Sequence, residues 1–572
     1  MLGQWTRGRR GGLLAFLLYL AGVMIVTLGA WRGPTSGWAG GCCDQEQAIW
    51  YLGWTPHALI HGLDPFFTTQ IAAPTGANLM WSPSMPLLGI LGWLPAKIGG
   101  PIFGFNILMV LGIALSGWAA WLAIRRWTGD GLGPTVGGAV YAFSPYVASH
   151  AAHHLNLTTV WVPPLMLIAL DELAVTRRRP AWKSGATLGA LGAAQLLISE
   201  EVLATSVVAG AVLLCVLAAA LRALPTRRLA AGLAVAVLTF LAFAAGPLAA
   251  QFLGSQRISE QVQNSTHFST DLLNLVLPTP YQLIAPGFAT NLSREFSGLY
   301  HEATAYLGAP LIVLIVVAAV RYWDDLRIRI PAITGVLILV LSLGPWLHIG
   351  KDPLHVPLPW LVLAKLPLLK HVLPDRFTVF VWLAVAVIVA TVIARASRLA
   401  PRPAARWLLT VGASLFLLLP APLARVQFTT PPFFYHWASH HIGADETVLV
   451  APYFVNGNEA APMVWATVAD FGLRMPEAYA YLPQPNGGTY SGPAQSQLTF
   501  TMWVIQQRGA WLVARGDIRD QIADDLQAAG VRHVIVGPGT NSGQMLAFFT
   551  DLFDRQPAII EGVALWSDVT VR

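Results

Sequence analysis

The chain has 572 residues, of which 55% are hydrophobic and only 11% charged, with a mean hydropathy of +0.57. Soluble domains carry about 25% charged residues, so this composition excludes an ordinary soluble protein and points to a polytopic membrane protein. The net charge of +6 does not indicate nucleic acid, because the basic residues stand in short clusters between apolar runs, where they set membrane orientation.

Arg7, Arg9 and Arg10 precede an apolar run that begins near Gly12 and lacks a clear cleavage site, the pattern of a signal anchor. Eleven spans are expected, over 12–31, 101–124, 133–150, 157–175, 184–199, 202–221, 229–252, 304–320, 331–349, 375–394 and 407–424. The stretch 85–98 is broken by Pro95 and is short for a span, so it is placed flat at the interface or re-entrant. Arginine clusters such as Arg125–Arg126, Arg177–Arg179, Arg227–Arg228 and Arg395–Arg406 then fall on one side. The other side has few, among them Arg32, Lys97, Arg257, Lys351 and Arg376, over much longer loops. The positive-inside rule puts the N-terminus in the cytoplasm, and an odd number of spans puts the tail outside. A full crossing by 85–98 would invert every later loop and destroy the pattern.

Three long loops, 32–100, 253–303 and 350–374, are thereby expected on the outer face, where long loops tend to carry function. From Arg425 the apolar runs shorten. Thr447–Val450 and Val531–Val536 read as strands, and Asp517–Ala529 reads as an amphipathic helix closed by Gly530. The expectation is a membrane domain over 1–424 and a small extracytoplasmic α/β domain over 425–572. Asn486-Gly487-Gly488 is a turn signal. No internal repeat is evident, which weighs against a transporter built from paired halves. Cys42, Cys43 and Cys215 show no metal-type spacing and are read as packing residues.

The ionisable residues at the outer ends of spans carry the chemical information, because such groups are costly in lipid. Asp44 and Glu46 open the first outer loop. Carboxylates at this spacing suit a general base with an orienting partner, or ligands for a divalent ion; a solvated loop pair is the plain alternative. Farther along stand His57 and then His61-Gly62-Leu63-Asp64-Pro65, where Asp64 also fits a turn before proline. Trp50, Trp54 and Trp81 suit an interfacial belt. Ser149-His150-Ala-Ala-His153-His154 stands at the next outer junction, as a metal or phosphate site or as a helix cap. Glu200 and Glu201 interrupt a long apolar region. His301 and Glu302 precede the eighth span. Arg376 opens the tenth, as a bidentate phosphate binder or as a snorkelling arginine. In the tail, Tyr435, Tyr453, Trp465 and Tyr481 suit sugar stacking or core packing.

The expected spans with a cytoplasmic N-terminus, the Asp44-x-Glu46 motif in the first outer loop and the interfacial segment 85–98 resemble the GT-C superfamily of integral-membrane glycosyltransferases. The pattern Gly53-Trp54-Thr-Pro-His57, His61-Gly-Leu-Asp64-Pro65-Phe66-Phe67, His154-Leu-Asn156 and Ser199-Glu200-Glu201 is similar to its actinobacterial members. The resemblance covers residues 1–425. It implies transfer of a sugar from a polyprenyl-phosphate donor to a cell-envelope glycan, lipid or protein outside the cytoplasm, in a bacterial plasma membrane. Asp44 would be the base that deprotonates the acceptor hydroxyl. Arg376 and His154 would hold the donor phosphate, with His153, Glu200, Glu201, His301, Glu302, His57 and Asp64 as further substrate-binding candidates. Glu46 shares the catalytic motif. A divalent cation (Mg, Mn or Ca) is needed by some members and not by others, so metal dependence stays open. The His-Pro-Pro signature of the protein-mannosyltransferase branch is missing, with Ser82-Pro83-Ser84-Met85-Pro86 near its place, so that branch's substrate is not implied.

Two other classes compete. A lipid or polysaccharide transporter or flippase should show ionisable residues in mid-span and paired broken helices, whereas the acids here gather at one face. A membrane scaffold would not need converging Asp, Glu, His and Arg residues.

Overall fold

The computed structural model describes residues 8–41, 43–222, 224–298, 300–350, 352–366, 369–443, 445–455, 459–484, 487–493 and 495–570. Arg7, Cys42, Lys351 and Asn486 lie outside the described residues. The chain is mostly helical, and helices stand over the expected apolar stretches. Among the described residues, five segments are long and apolar enough to cross a membrane: Pro101–Thr128, Leu155–Thr176, Glu200–Leu221, Thr226–Leu253 and Pro374–Ala396. Arg10–Val26, Pro86–Gly99 and Ala309–Arg321 are shorter apolar helices. Starts are set locally. Ser144 and Ser199 accept from the backbone N–H three residues on, Asp325 accepts from Arg327, and prolines stand in the first turns of Pro86–Gly99 and Pro401–Phe416.

The chain divides into two compact units, each built from three segments. The first comprises Met1–Arg32, Leu108–Ala245 and Gln263–Arg425. Its central element is the helix Thr378–Ala396, in a segment 94% buried although every residue from Thr378 to Ile393 except Thr378 and Thr391 is apolar. It packs on Leu132–Ala142 and Leu326–Ser342. Gly133 and Gly137 permit that closeness, since a Cβ at either would stand 2.6 Å from the Ala390 carbonyl oxygen or 2.9 Å from that of Ala386. The helix Thr226–Leu253 is the opposite case. Its apolar window is only 17% buried, and Leu238 and Phe243 project outward, as lipid-facing residues do. Arg126 bridges Asp171 (2.6 Å) and Glu172, and Asp325 accepts from Arg395 (2.7 Å), at helix ends expected on the cytoplasmic side.

The second unit comprises Gly33–Ile107, Gly246–Val262 and Val426–Arg572. It holds a four-stranded sheet in the order Ala558–Ile560, Val563–Trp566, Val531–Val536, Thr447–Ala451. The last two strands are parallel, with Val534 opposite Leu449, and the other pairs are antiparallel. Ile522 and Leu526 of the helix Asp517–Ala528 pack into its core with Phe548, Phe549 and Trp566. Gly530 takes φ +66° at the turn from that helix into its strand. Tyr481–Pro483 and Thr489–Ser491 pair across the segment that includes the expected 486–488 turn. Of the tail aromatics, Tyr453 and Trp465 are buried in the core, while Tyr435 is exposed.

One element departs from expectation. Residues 44–61 are expected as part of a polar loop, yet Asp44–His61 is a helix. Asp44 and Glu46 occupy its first turn, where carboxylates complement the helix dipole. Ala48, Ile49, Trp50, Leu52, Trp54 and Ala58 are buried against Pro86–Gly99 and Ala461–Val468. Gly62 ends the helix at φ +68°, with its N–H on the Ala58 carbonyl. The burying surfaces come from other parts of the chain, so the local sequence reads as a loop rich in Trp and Pro.

Candidate active site

In the second unit the acidic pair divides its contacts. Residues two apart on a helix point in different directions, and the two carboxylates do so here. Glu46 is buried, and its Oε2 accepts from the Ala460 backbone N–H at 2.5 Å. That bond ties the helix start to the beginning of Ala461–Val468. Asp44 is half-buried, and its Oδ1 accepts from the Tyr479 hydroxyl at 2.7 Å. Tyr479 is itself fixed. Its ring stacks on Phe454 at 4.3 Å, and its carbonyl accepts from Gln47 Nε2 (2.7 Å) and the Tyr51 hydroxyl (3.2 Å). Burial, and then the adjacent Asp44 carboxylate, push the Tyr479 phenol well above its usual range, so it stays a proton donor to Asp44. Two residues earlier, Glu477 is buried with Oε1 accepting from Val450 N–H at 2.8 Å, and burial pushes its carboxyl up to about 8. Asp64 is exposed and accepts from Phe66 N–H at 2.8 Å, closing a turn. His57 Nδ1 stands 3.4 Å from the Asp470 carboxylate.

In the first unit a second cluster forms around Arg376. The turn Pro374–Phe377 leads into Thr378–Ala396, so a cation sits at a helix N-terminus, an unfavourable place by the helix dipole. Three acids compensate. Glu302 takes both terminal nitrogens of Arg376, with Nη2 to Oε1 at 3.1 Å and Nη1 to Oε2. Glu201 Oε2 lies 3.3 Å from Nε, and Asp375 Oδ2 lies 3.5 Å from Nη1. The loop carrying Glu302 is pinned by Ser149 Oγ on the His301 carbonyl (2.5 Å), by the Thr304–Thr378 hydroxyl pair (2.6 Å) and by Trp382 Nε1 on the Thr304 carbonyl (3.0 Å). Burial alone would raise the Glu302 carboxyl, but Arg376, with His154 and His150, outweighs it and holds the group well below the usual range.

Histidines cover this core. His150 is fully buried, with its Nδ1 3.9 Å from Glu302 and 3.4 Å from His154 Nδ1. The His153 ring lies tilted against His301, centroids 4.4 Å apart, and shares a hydrogen bond with the Tyr281 hydroxyl at 2.9 Å. Glu200 and Glu201 lie in the first turn of Glu200–Leu221 and are half-buried. Thus Arg376, Glu201, Glu302, His153, His154 and His301 gather in one cluster, while Asp44, Glu46, His57 and Asp64 belong to the other unit. Tyr479, Tyr281 and Asp375 complete the two sites. The only signal for Asp375 is its place beside Arg376, and nothing in the local sequence points to the two tyrosines.

His150, His154 and Glu302 present donor atoms within 4.8 Å of one another. They do not fit a resident Mg, Mn or Ca ion. Glu302 already gives both oxygens to a guanidinium, whose charge opposes a second cation, and two imidazoles are poor ligands for hard ions.

The same unit contains an apolar cavity of about 690 Å³, lined among others by Met166, Leu170, Leu203, Gly210, Phe240 and Phe380.

A family model described as "Domain of unknown function (DUF6311)" matches residues 13–366. No curated protein matches the chain. Among solved structures, the chain is similar to the arabinofuranosyltransferase AftD from Mycobacteria, with TM-score 0.55 and 14% identity over 99% of this chain and 40% of that one. A mutant of the same enzyme aligns with TM-score 0.53 and 14% identity, over 93% of this chain and 37% of that one. ArnT from Cupriavidus metallidurans, solved with undecaprenyl phosphate, aligns with TM-score 0.39 and 14% identity, over 71% and 64% of the two chains. This chain therefore spans about 40% of the length of AftD. The shared fold is that of GT-C membrane glycosyltransferases.

Proposed function

This chain belongs to the DUF6311 family and carries a GT-C fold, and on that premise we propose that it is a membrane glycosyltransferase using a polyprenyl-phosphate sugar. The acceptor is a glycan, lipid or protein of the cell envelope. Residues 1–424 supply the membrane part with eleven crossings and a cytoplasmic N-terminus, and 425–572 an outer α/β domain. The observation that carries the reading is the Asp44 carboxylate, half-buried and held by the Tyr479 hydroxyl at 2.7 Å, in a chain of this fold.

The contacts support a division of roles. Asp44 takes the proton of the acceptor hydroxyl, whose oxygen forms the new bond to the anomeric carbon. The bond from that carbon to the donor phosphate breaks, and polyprenyl phosphate leaves with the electron pair. Tyr479 aims the Asp44 carboxylate, and Glu46 fixes the helix that carries it. Arg376, held by Glu302 and Glu201, braces the donor-phosphate site. The imidazoles of His153, His154 and His301 present N–H groups to the phosphate as negative charge develops on it, and Glu200 and Glu201 border the site. The apolar cavity near Gly210 and Phe240 accommodates the donor's lipid chain. No step here requires a metal ion.

The test is turnover of a panel of polyprenyl-phosphate sugars by the purified protein, wild type against Asp44→Asn. Transfer by the wild type that the variant loses supports the reading. Inactivity toward every donor, together with a positive lipid-flux signal in vesicles, favours a transporter instead.

A further inference from the structure

A second grouping of ligand-type side chains lies in the second unit and plays no part in the proposed transfer. His57 and His61 are one helical turn apart on the Asp44–His61 helix, with ring centroids 4.2 Å apart. Asp470 follows the Ala461–Val468 helix, which packs on the same element. One donor atom from each of the three residues falls within 4.8 Å of the others. We propose that His57, His61 and Asp470 form a binding site for a divalent transition-metal ion of the zinc class, with water completing the coordination shell.

Three features support this. The His57 Nδ1 is buried and makes no close hydrogen bond among the described residues, although the Asp470 Oδ1 lies 3.4 Å away. Two ligand atoms about 2.0–2.1 Å from a tetrahedral zinc stand roughly 3.3 Å from each other, so this spacing suits a shared ion better than a direct hydrogen bond. His61 Nδ1 lies 2.9 Å from the His57 carbonyl. A carbonyl only accepts, so Nδ1 carries the proton and Nε2 keeps its lone pair for a ligand, the arrangement common among metal-bound histidines. The third feature is the backbone. Asp470 and Phe471 both take left-handed conformations, φ +51° and +62°, which is unusual for a phenylalanine. The Phe471 ring sits against His57 (4.6 Å), Trp54 (5.5 Å) and Trp50 (5.5 Å), and this anchor turns the Asp470 carboxylate toward the imidazole.

Two imidazoles and one carboxylate suit zinc, cobalt or nickel over magnesium or calcium. Three protein ligands leave one position open to water. The ion would bridge the helix that carries Asp44 to the turn after Ala461–Val468.

The experiment uses the full-length protein in detergent, with any affinity tag removed and metal stripped by a chelator. Zinc affinity is measured by competition with a chromogenic chelator, and cobalt is added as a spectroscopic probe. The expected result is micromolar or tighter zinc binding and visible bands of four-coordinate cobalt. His61→Ala and Asp470→Asn should each weaken zinc at least tenfold and erase the cobalt bands. Both side chains are exposed, so the metal-free variants should melt with the wild type, which separates lost ligation from misfolding. His154→Ala, in the other cluster, should bind zinc as the wild type does. The proposal is overturned if the wild type fails to bind zinc in the micromolar range. It is equally overturned if His61→Ala and Asp470→Asn keep wild-type affinity, or if His154→Ala is the change that removes binding.

Discussion

Tyr479 donates its hydroxyl hydrogen to the Asp44 carboxylate at 2.7 Å, across 435 residues of sequence. The contact restrains the carboxylate assigned as the base and makes the segment around Tyr479 part of its surroundings. A hydrogen bond to a charged group is worth about 1.5–3 kcal/mol. Tyr479→Phe should therefore lower kcat roughly tenfold or more by releasing the carboxylate, with little change in donor KM. Steady-state kinetics check this, and an unchanged kcat would remove Tyr479 from the site.

Glu302 and Arg376 form a buried fork, with Glu201 and Asp375 beside it. Removing one member of such a pair strands the other and costs about 3–5 kcal/mol. Glu302→Gln should lower the melting temperature in detergent by several degrees. Arg376→Met should cost less in that background than in the wild type, because the guanidinium has already lost its bidentate partner. Additive losses in that double-mutant cycle would show the pair to be uncoupled.

Glu477 gives the second unit a pH dependence of defined sign. Its carboxyl titrates near 4.5 when unfolded and near 8 when folded. Between these values the folded state keeps a proton that the unfolded state has lost, so stability falls as pH rises from about 4.5 to about 8 and levels off above. Glu477→Gln should flatten the corresponding part of the melting-temperature profile. A variant whose profile parallels the wild type over that range would contradict the assignment.

The apolar cavity predicts a dependence on donor chain length. Gly210 lines it, and among the described residues only Leu170 is in ordinary contact range of an added Cβ, at 3.9 Å. Gly210→Phe fills part of the space. It should raise KM for a long-chain polyprenyl donor about tenfold, by removing apolar burial, and leave a short-chain donor unaffected. Equal effects on both donors would place the lipid elsewhere.

The sequence was legible where local pattern decides structure. The apolar runs became helices, Thr447–Ala451 and Val531–Val536 became strands, and Asp517–Ala528 became the amphipathic helix between turn signals. Where distant surfaces decide, it was not. Asp44–His61 reads as a loop because the helices that bury its Trp and Leu residues, Pro86–Gly99 and Ala461–Val468, lie outside the segment itself. Arg376 was visible as an unusual cation at a helix start, but its partners Glu302 and Glu201 lie 74 and 175 residues away. Spacing shows that such residues are costly to bury, and only the fold shows which charges share that cost. The Asp44–Glu46 pair is the same lesson at short range. One motif suggested one shared task, while the helical rotation sends Glu46 to a backbone N–H and Asp44 to a phenol.

The most direct measurement is transfer of radiolabelled sugar from a panel of polyprenyl-phosphate donors to envelope acceptors, by purified wild type and Asp44→Asn side by side. The account predicts product with at least one donor and a fall of roughly 100-fold or more in the variant, the scale of a lost general base. Wild-type product that Asp44→Asn forms at the same rate would contradict it.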